Sequence, residues 1–511
     1  SNQFDMHATW VGSAIGGYNP VVGYNPNSPT YDQNLETGIA YGATLWTGAI
    51  ATSWGSPGGP GYSTSFNLTE SSFTTPYIEA MITGVNGQTA DVINNSFSAF
   101  ESPSSSSYGS YLTSGNNFIS VAVDAFIAAS GKIVVTSAGN NGPGQDTIGA
   151  PASGINELVV GATTDDTTTP QYGSVVYFSS ESPSDFFIPN DASGDSGTFL
   201  SDVRAKIDLV APGTDLILAH YGGPTGGNSF GGSTDTFTNA YNLQLAGTSF
   251  SAPIVTGGAA LVVDAGRTLY SSDPNAVDGR VVQAVLMNSA TPLAGWYNGQ
   301  KLSGGVITTT QSLDYAQGAG QINLTNAYTQ YTTGTADVAM PIAVLGNLQG
   351  STVNAANVQS VGWAFGAISH NTSTQTNEEY LISTPLKGGT FLTMTLAWYA
   401  DETYDMENPD NVYYGSFDNL DLQIWQDVGG VATTLIAQSD SLYNNVEHLY
   451  DISLPGTGNY FIDVLENNYI FNFNNSSSTD FGLAWIDTPE PGAFGLLAIG
   501  AISLLSRRRK Y

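Results

Sequence analysis

Ser249 follows Gly247-Thr248 and opens a run of small and apolar residues, from Phe250 to Asp264, with no break long enough for a loop. The pattern predicts a turn that delivers Ser249 to the start of a buried helix. Pro253 falls near the first turn, where a missing N–H costs least. A hydroxyl placed there stands beside free backbone N–H groups and the positive end of the helix dipole. That setting suits a nucleophile whose transition state carries an oxyanion. Thr248 or Ser249 as an ordinary N-cap is the other reading of the same residues. A base for such a serine has few candidates, because the 511 residues contain only four histidines. His7 precedes the small, apolar stretch from Ala8 to Gly17, which fits a Gly-bearing helix start. Asn140 closes the apolar run from Lys132 to Gly139 in a Gly/Asn turn. Taken in chain order, the three supply a base, an oxyanion donor and a nucleophile.

The elements that must position them alternate. Residues 38–51 read as a turn and a strand, and residues 76–84 as a helix. Ala90–Ser98 is a short apolar strand ending in a polar loop. Phe118–Ser130 has helical spacing with Val121, Val123, Phe126 and Ile127 on one side, and Gly131 stops it. Lys132–Ser137 and Glu157–Thr163 are buried strands, and Ile207–Gly213 returns to the core after a polar stretch. Helices alternating with fully apolar strands imply a parallel α/β sheet. Residues 181–204 and 220–241 are polar and read as looped insertions, and Gly279–Ser289 is helical. Beyond about residue 335 the pattern becomes short alternating β segments, among them 390–398, 420–425, 459–465 and 481–485. That pattern predicts a β-sandwich. The expected organisation is an α/β domain over 1–335, a sandwich over 336–487 and a terminal segment over 488–511.

Composition narrows the function. Net charge is −32, with 11 Lys plus Arg, four of them in the terminal Arg507-Arg-Arg-Lys510 cluster. Such a surface offers no basic patch to neutralise phosphates, so nucleic acid is excluded as a partner. With no cysteine, disulfides, thiolate catalysis and thiolate-bound metals are excluded as well.

Assembled, the motifs resemble the subtilisin-like serine proteases, the subtilases. His7-Ala-Thr-Trp-Val-Gly-Ser matches the family's histidine motif, Ser137-Ala-Gly-Asn140 its asparagine motif, and Gly247-Thr-Ser249-Phe-Ser-Ala-Pro253 its serine motif. Lesser marks fall in the family's order: Gly38-Ile-Ala, Val92-Ile-Asn-Asn-Ser96, Asp208-Leu-Val-Ala-Pro-Gly213, Leu286-Met-Asn-Ser-Ala-Thr-Pro292 and Gln317-Gly-Ala-Gly320. The resemblance implies that His7 takes the proton of Ser249, which attacks a scissile carbonyl, while Asn140 donates to the oxyanion. It also implies that Ser96, Phe97 and Ser98 pair with the substrate backbone as an added strand, and that Ser137, Ala138 and Gly139 face it across the specificity pocket. No cofactor is implied for the chemistry.

Three departures accompany the match. Ala8 and Trp10 replace a glycine and a second histidine of the family's motif, and Phe250 replaces the usual methionine. Neither change removes a proton carrier. The third concerns the catalytic aspartate, which the family carries on a strand some tens of residues before the histidine; here only six residues precede His7. Asp5 is too close in sequence to reach the far side of the ring, and Asp195-Ser-Gly197 lacks the apolar strand such an aspartate needs. The expectation is that a strand bearing that carboxylate lies upstream of Ser1.

The sandwich resembles the jelly-roll domain that follows some subtilase catalytic domains, which implies structural calcium at Asp418, Asp421 and Glu447. The terminal segment resembles a PEP-CTERM sorting signal: Pro489-Glu-Pro491, the apolar stretch Gly492–Leu505 expected as a hydrophobic helix, and the basic cluster. That stretch is shorter than the roughly 20 residues of a full bilayer span. The resemblance implies a bacterial envelope or extracellular protein recognised by an exosortase at Pro489–Pro491, with transient membrane contact through the helix. The function expected is a secreted, surface-sorted serine endopeptidase acting on polypeptides; the alternative is a catalytically silent protein that keeps the fold for binding. An α/β-hydrolase esterase would need Gly-x-Ser-x-Gly and a histidine after the nucleophile. Position 251 is Ser, and the histidines beyond Ser249 (His370 and His448) lie in the sandwich.

Overall fold

The structure, a computed structural model, describes residues 6–17, 37–54, 66–99, 114–166, 169–219, 241–338, 344–345, 355–370, 376–405, 407–408 and 411–488. Its centre is a parallel sheet in the spatial order Val92–Asn95, Ile133–Ser137, Leu158–Asp166 and Leu209–Pro212. Val134, Val135, Leu158, Val159, Val160 and Leu209 are wholly buried, as both faces are covered by helices. Residues Thr169–Val175 turn back antiparallel on the third strand. Among the described residues the outer edge of Val92–Asn95 has no partner strand.

Helix α1 is Met6–Gly16, α2 is Glu70–Ile78, α3 is Phe118–Ser130, α4 is Thr248–Leu269 and α5 is Gly279–Asn288. Helix α3 has the bounds its pattern predicts. Asn117 Oδ1 accepts the Ser120 N–H at 3.0 Å to start it, and Gly131 ends it in the left-handed region at φ 63°. Helix α4 lies across the sheet, burying Val255, Ala259, Val262 and Val263 against Val135, Leu158 and Leu209.

Three local expectations are corrected. Residues 38–51 do not form a strand; they run as a turn and an extended stretch without a neighbouring strand among the described residues, and pairing begins at Ser53–Trp54 with Phe66–Asn67. A strand exists only where a ladder partner takes its backbone groups. The helix expected over 76–84 starts earlier, because Thr69 and Ser72 form a reciprocal capping box ahead of it, and its end continues as one π turn, Glu79–Thr83. The supposed insertion at 181–204 is a hairpin, Ser184–Pro189 with Gly197–Arg204. Phe186 and Phe187 bury against Phe417, Tyr443 and Tyr414 of the C-terminal region.

That region is strand-rich. A sheet built on the long strands Val412–Asp427 and Gly458–Asn472 faces a five-stranded sheet containing Val361–Ser369, Ser478–Thr488 and Phe391–Trp398. Leu392, Leu396, Trp398, Leu422, Ile424 and Ile462 fill the space between. The two regions interpenetrate: the hairpin Lys301–Ser303 and Val306–Thr309 joins the C-terminal sheet, parallel to Ala432–Ser439. Trp363, Ala397, Val446 and Ala484 share one buried cluster with α4 and α5. The expected hydrophobic helix at 492–505 lies outside the described residues. Among the described residues only α4 is long and apolar enough to cross a membrane, and it is a buried core helix.

Candidate active site

Helix α4 begins at Thr248 on Gly247, whose φ of 152° and ψ of 149° belong to a region only glycine occupies readily. No side chain caps this helix. The N-cap reading of Thr248 and Ser249 is therefore set aside, and the Ser249 hydroxyl is left for other work. Gly257 lets α1 approach α4 closely, since a Cβ there would stand 2.6 Å from Ile39 Cβ and 3.3 Å from the Ile15 carbonyl. Ser13 Oγ donates to the Trp10 carbonyl at 2.9 Å and accepts the Ala219 N–H at 3.0 Å, fixing α1 to the strand Leu216–Ala219.

His7, in the first turn of α1, stands with its ring centroid 5.6 Å from that of Phe250 and 6.5 Å from that of Trp10. Trp10 and Phe250 meet edge-to-face at 6.0 Å and are both buried. Two of the three substitutions that depart from the family's motifs, Trp10 and Phe250, are thus one packed pair beside the imidazole.

Asn140 is held by its carbonyl end. Oδ1 accepts the Thr248 N–H at 2.9 Å and the Thr248 hydroxyl at 3.1 Å, and Thr248 Oγ1 in turn accepts the Gly139 N–H at 3.2 Å. With Oδ1 committed, Nδ2 is the donor left for an oxyanion. The loop that carries Ser249 thereby sets the orientation of Asn140. Sequence reasoning missed Thr248, whose motif position was the only signal for it.

His7, Ser249, Asn140, Ser96, Phe97, Ser98, Ser137 and Gly139 line one cavity of about 2500 Å3. The cavity continues past the edge of Val92–Asn95, unpaired among the described residues, to the exposed side chains of Tyr41, Leu45 and Trp46. Ala138 is the exception among the expected wall residues. Its side chain is wholly buried with Ile148, Val159 and Ile207, because alternate residues of the wall face inward. The Ser96 hydroxyl is also engaged, donating to the Ser249 carbonyl at 2.9 Å. Phe97 packs on Phe66 and Phe73, each at 6.3 Å. What these residues present for strand pairing is therefore their backbone. Asp195 lies on the turn of the 184–204 hairpin, away from the cavity, and Asp5 lies outside the described residues.

Asp418, Asp421 and Glu447 do not converge as one cation site. Asp418 pairs with His370 Nε2 at 2.7 Å and accepts the Thr479 hydroxyl. Asp421 accepts from Asn467 and lies against the Asp440 carboxyl. Glu447 takes the hydroxyls of Ser439 and Ser441 and the Ser441 N–H at 2.9 Å. Among the described residues no three His, Cys, Asp or Glu side chains are placed to hold a metal ion. Each of the three carboxylates is instead engaged with protein groups of its own.

A family model described as the subtilase family matches residues 2–320, and a model of the PEP-CTERM protein-sorting motif matches residues 487–510. Among solved structures the chain is similar to Sphericase, at 20% identity over 63% of this chain and 78% of that one, with a TM-score of 0.38. It is also similar to a serine protease of Aeromonas sobria, at 15% identity over 95% of this chain and 82% of that one, again at 0.38. An S41 psychrophilic protease matches at 20% identity over 62% and 77%, with a TM-score of 0.35. Likenesses this distant bear on neither substrate nor mechanism.

Proposed function

We propose, from the premise that the chain belongs to the subtilase family, that it is a serine endopeptidase cleaving polypeptides through an acyl-enzyme on Ser249. The observation that carries this reading is the common cavity of His7, Asn140 and Ser249, with Asn140 turned by Thr248 so that its amide nitrogen is the group left to donate. His7 takes the Ser249 proton as the serine oxygen bonds to the scissile carbonyl carbon. The oxyanion so formed accepts from Asn140 Nδ2 and from backbone N–H at the start of α4. Collapse expels the amine, which leaves with the proton from His7, and water then hydrolyses the ester by the same path in reverse. The substrate lies extended between the backbone of 96–98 and that of 137–139. No cofactor enters.

The family's mechanism also needs a carboxylate to orient the imidazole. We place its entry at the edge of Val92–Asn95 that has no partner strand among the described residues, where a strand carrying it could pair beside the cavity. The PEP-CTERM motif, with the family, makes this a secreted, envelope-associated protein. An exosortase acting at Pro489–Pro491 and a membrane contact through 492–505 complete the proposal, as does a jelly-roll connectivity for the sandwich.

Labelling of the full-length secreted protein by a fluorophosphonate tests the reading. Label that appears and is abolished by Ser249→Ala is the expected result. If the protein does not label, or if Ser249→Ala labels equally, the protease reading fails and a silent binding protein takes its place.

A further inference from the structure

Ser249 occupies the second position of α4, and the N–H that would take its carbonyl one helical turn later belongs to residue 253. Residue 253 is Pro, which has no N–H. The carbonyl of the serine is therefore deprived of its helical partner by the sequence itself. A buried backbone acceptor left unpaired is costly, so its replacement partner is part of the structure that holds the serine.

That partner is Ser96, whose hydroxyl donates to the Ser249 carbonyl at 2.9 Å. The rest of the chain of bonds follows by proton counting. A carbonyl can only accept, so the single Ser96 proton is directed to Ser249. Ser96 Oγ must then accept from its other neighbour, Asn94 Nδ2, at 2.9 Å. This turns Asn94 Oδ1 away toward Thr256, whose hydroxyl lies 2.9 Å from it and 2.9 Å from the Ala252 carbonyl. Thr256 is buried on α4, two turns beyond Ser249, and its one proton is shared between these acceptors. The path leaves α4 at Thr256, crosses to the end of the Val92–Asn95 strand, and returns to α4 at Ser249.

We propose that Thr256, Asn94 and Ser96 form a positioning relay that fixes the backbone of Ser249 in place of the helical hydrogen bond removed by Pro253. The relay sets the direction of the nucleophile from the same segment that forms one wall of the substrate cleft. None of the three residues touches the reacting atoms; each acts through the next. The catalytic consequence rests on Ser249 being the nucleophile, whereas the bonding role does not.

Two measurements on the full chain separate these. In hydrogen exchange followed by mass spectrometry, Ser96→Ala should speed exchange in the 246–254 segment, Ser96→Thr should restore it, and Thr256→Val should give a smaller increase. Unchanged exchange in Ser96→Ala overturns the relay. In fluorophosphonate labelling, Ser96→Ala should slow the first-order bonding step roughly tenfold, the equivalent of one lost hydrogen bond, with the reversible binding constant almost unchanged. Ser96→Thr should recover the rate. A rate that does not fall, or a fall confined to the binding constant, overturns the positioning role. Should the wild-type chain fail to label, the protease reading falls, and the exchange result still decides whether the relay holds Ser249.

Discussion

At the scale of single residues, the site depends on groups that orient other groups. Asn140 is useful as a donor because Thr248 occupies its acceptor end twice. Asn140→Leu keeps the volume and removes the amide, and should lower fluorophosphonate labelling by roughly 100- to 1,000-fold, the range known for the matching donor in subtilisin itself. Thermal stability should fall as well, by about 1–3 kcal/mol, because Leu leaves the buried Thr248 N–H and hydroxyl without their acceptor, and a melting curve on the same samples checks this. The motif residues of this site were legible in the sequence, since Ser249, Asn140 and His7 each sit in a spaced set of small residues. Thr248 and Ser96 were not legible in their roles, because each acts by bonding a backbone group or an amide brought close only by folding. Pro253 was a visible clue: a proline four residues after the serine announces an unpaired carbonyl that some donor must meet. A second residue-scale device lies in the C-terminal region, where His370 pairs with Asp418 through Nε2, which also stands 3.1 Å from the Thr479 hydroxyl, and donates its Nδ1–H to the Ser476 carbonyl at 2.9 Å. Burial pulls the His370 pKa down, but the hydrogen bond and charge of Asp418 outweigh it, and the net shift is upward from 6.5. A histidine raised on folding stabilises fully below its unfolded value and loses that contribution as pH rises through its folded value. Melting temperatures of wild type and His370→Asn should therefore differ most at about pH 5 to 6 and converge above the raised value. A constant difference across pH would remove the ionic account of this pair.

At the scale of elements, the charged groups that lock the peptidase region to the sandwich are buried together. Asp124 on α3 accepts the Ile155 and Asn156 N–H groups at 2.7 and 2.6 Å. Lys206 donates to the Ile155 and Glu157 carbonyls, both at 2.9 Å, and stands 3.9 Å from Asp208. Arg204 donates to the Ser153 and Gly154 carbonyls at 3.2 and 2.8 Å, and Glu402 enters from the strand Asp401–Tyr404. Removing one cation from such a set leaves a buried carboxylate uncompensated, so Lys206→Met should cost about 3–5 kcal/mol, measured by denaturant titration. Burial, then the charges of Asp124 and Glu157, raise the Glu402 pKa well above 4.5. A carboxyl group raised on folding costs stability as pH climbs from the unfolded value through the folded one. Glu402→Gln removes that cost, and its stability relative to wild type should grow as pH is raised; a flat difference would show that Glu402 does not titrate in this range. None of this cluster was read from the sequence. The hairpin at 184–204 escaped for the same reason: Phe186 and Phe187 sit among polar residues, and the surface that buries them lies more than 200 residues downstream. Helix α3, by contrast, was legible to the residue, since its cap and its stop are both local.

At the scale of the whole molecule, the sandwich is built into the peptidase region, and the break in pattern near residue 335 is not a break in packing. Segments from before it, Lys301–Thr309 and the 184–204 hairpin, lie on the C-terminal sheets, while Trp363, Ala397, Val446 and Ala484 from after it complete the cluster around α5. Asn156 ties the two directly, donating to the Ala400 carbonyl at 2.9 Å and accepting the Ala400 N–H at 2.7 Å. Cutting the chain there would uncover Val281, Val285 and Leu286, all wholly buried, and strip the hairpins of the sheet they rest on. An exposed apolar face of that kind favours aggregation over independent folding. A chain ending at residue 335 should therefore fail to give a soluble, cooperatively melting product, and the full chain should show one calorimetric transition that includes both regions. Two well-separated transitions, or a truncated chain that melts cooperatively and labels at Ser249, would show instead that the peptidase region stands by itself and that the shared core adds little to it.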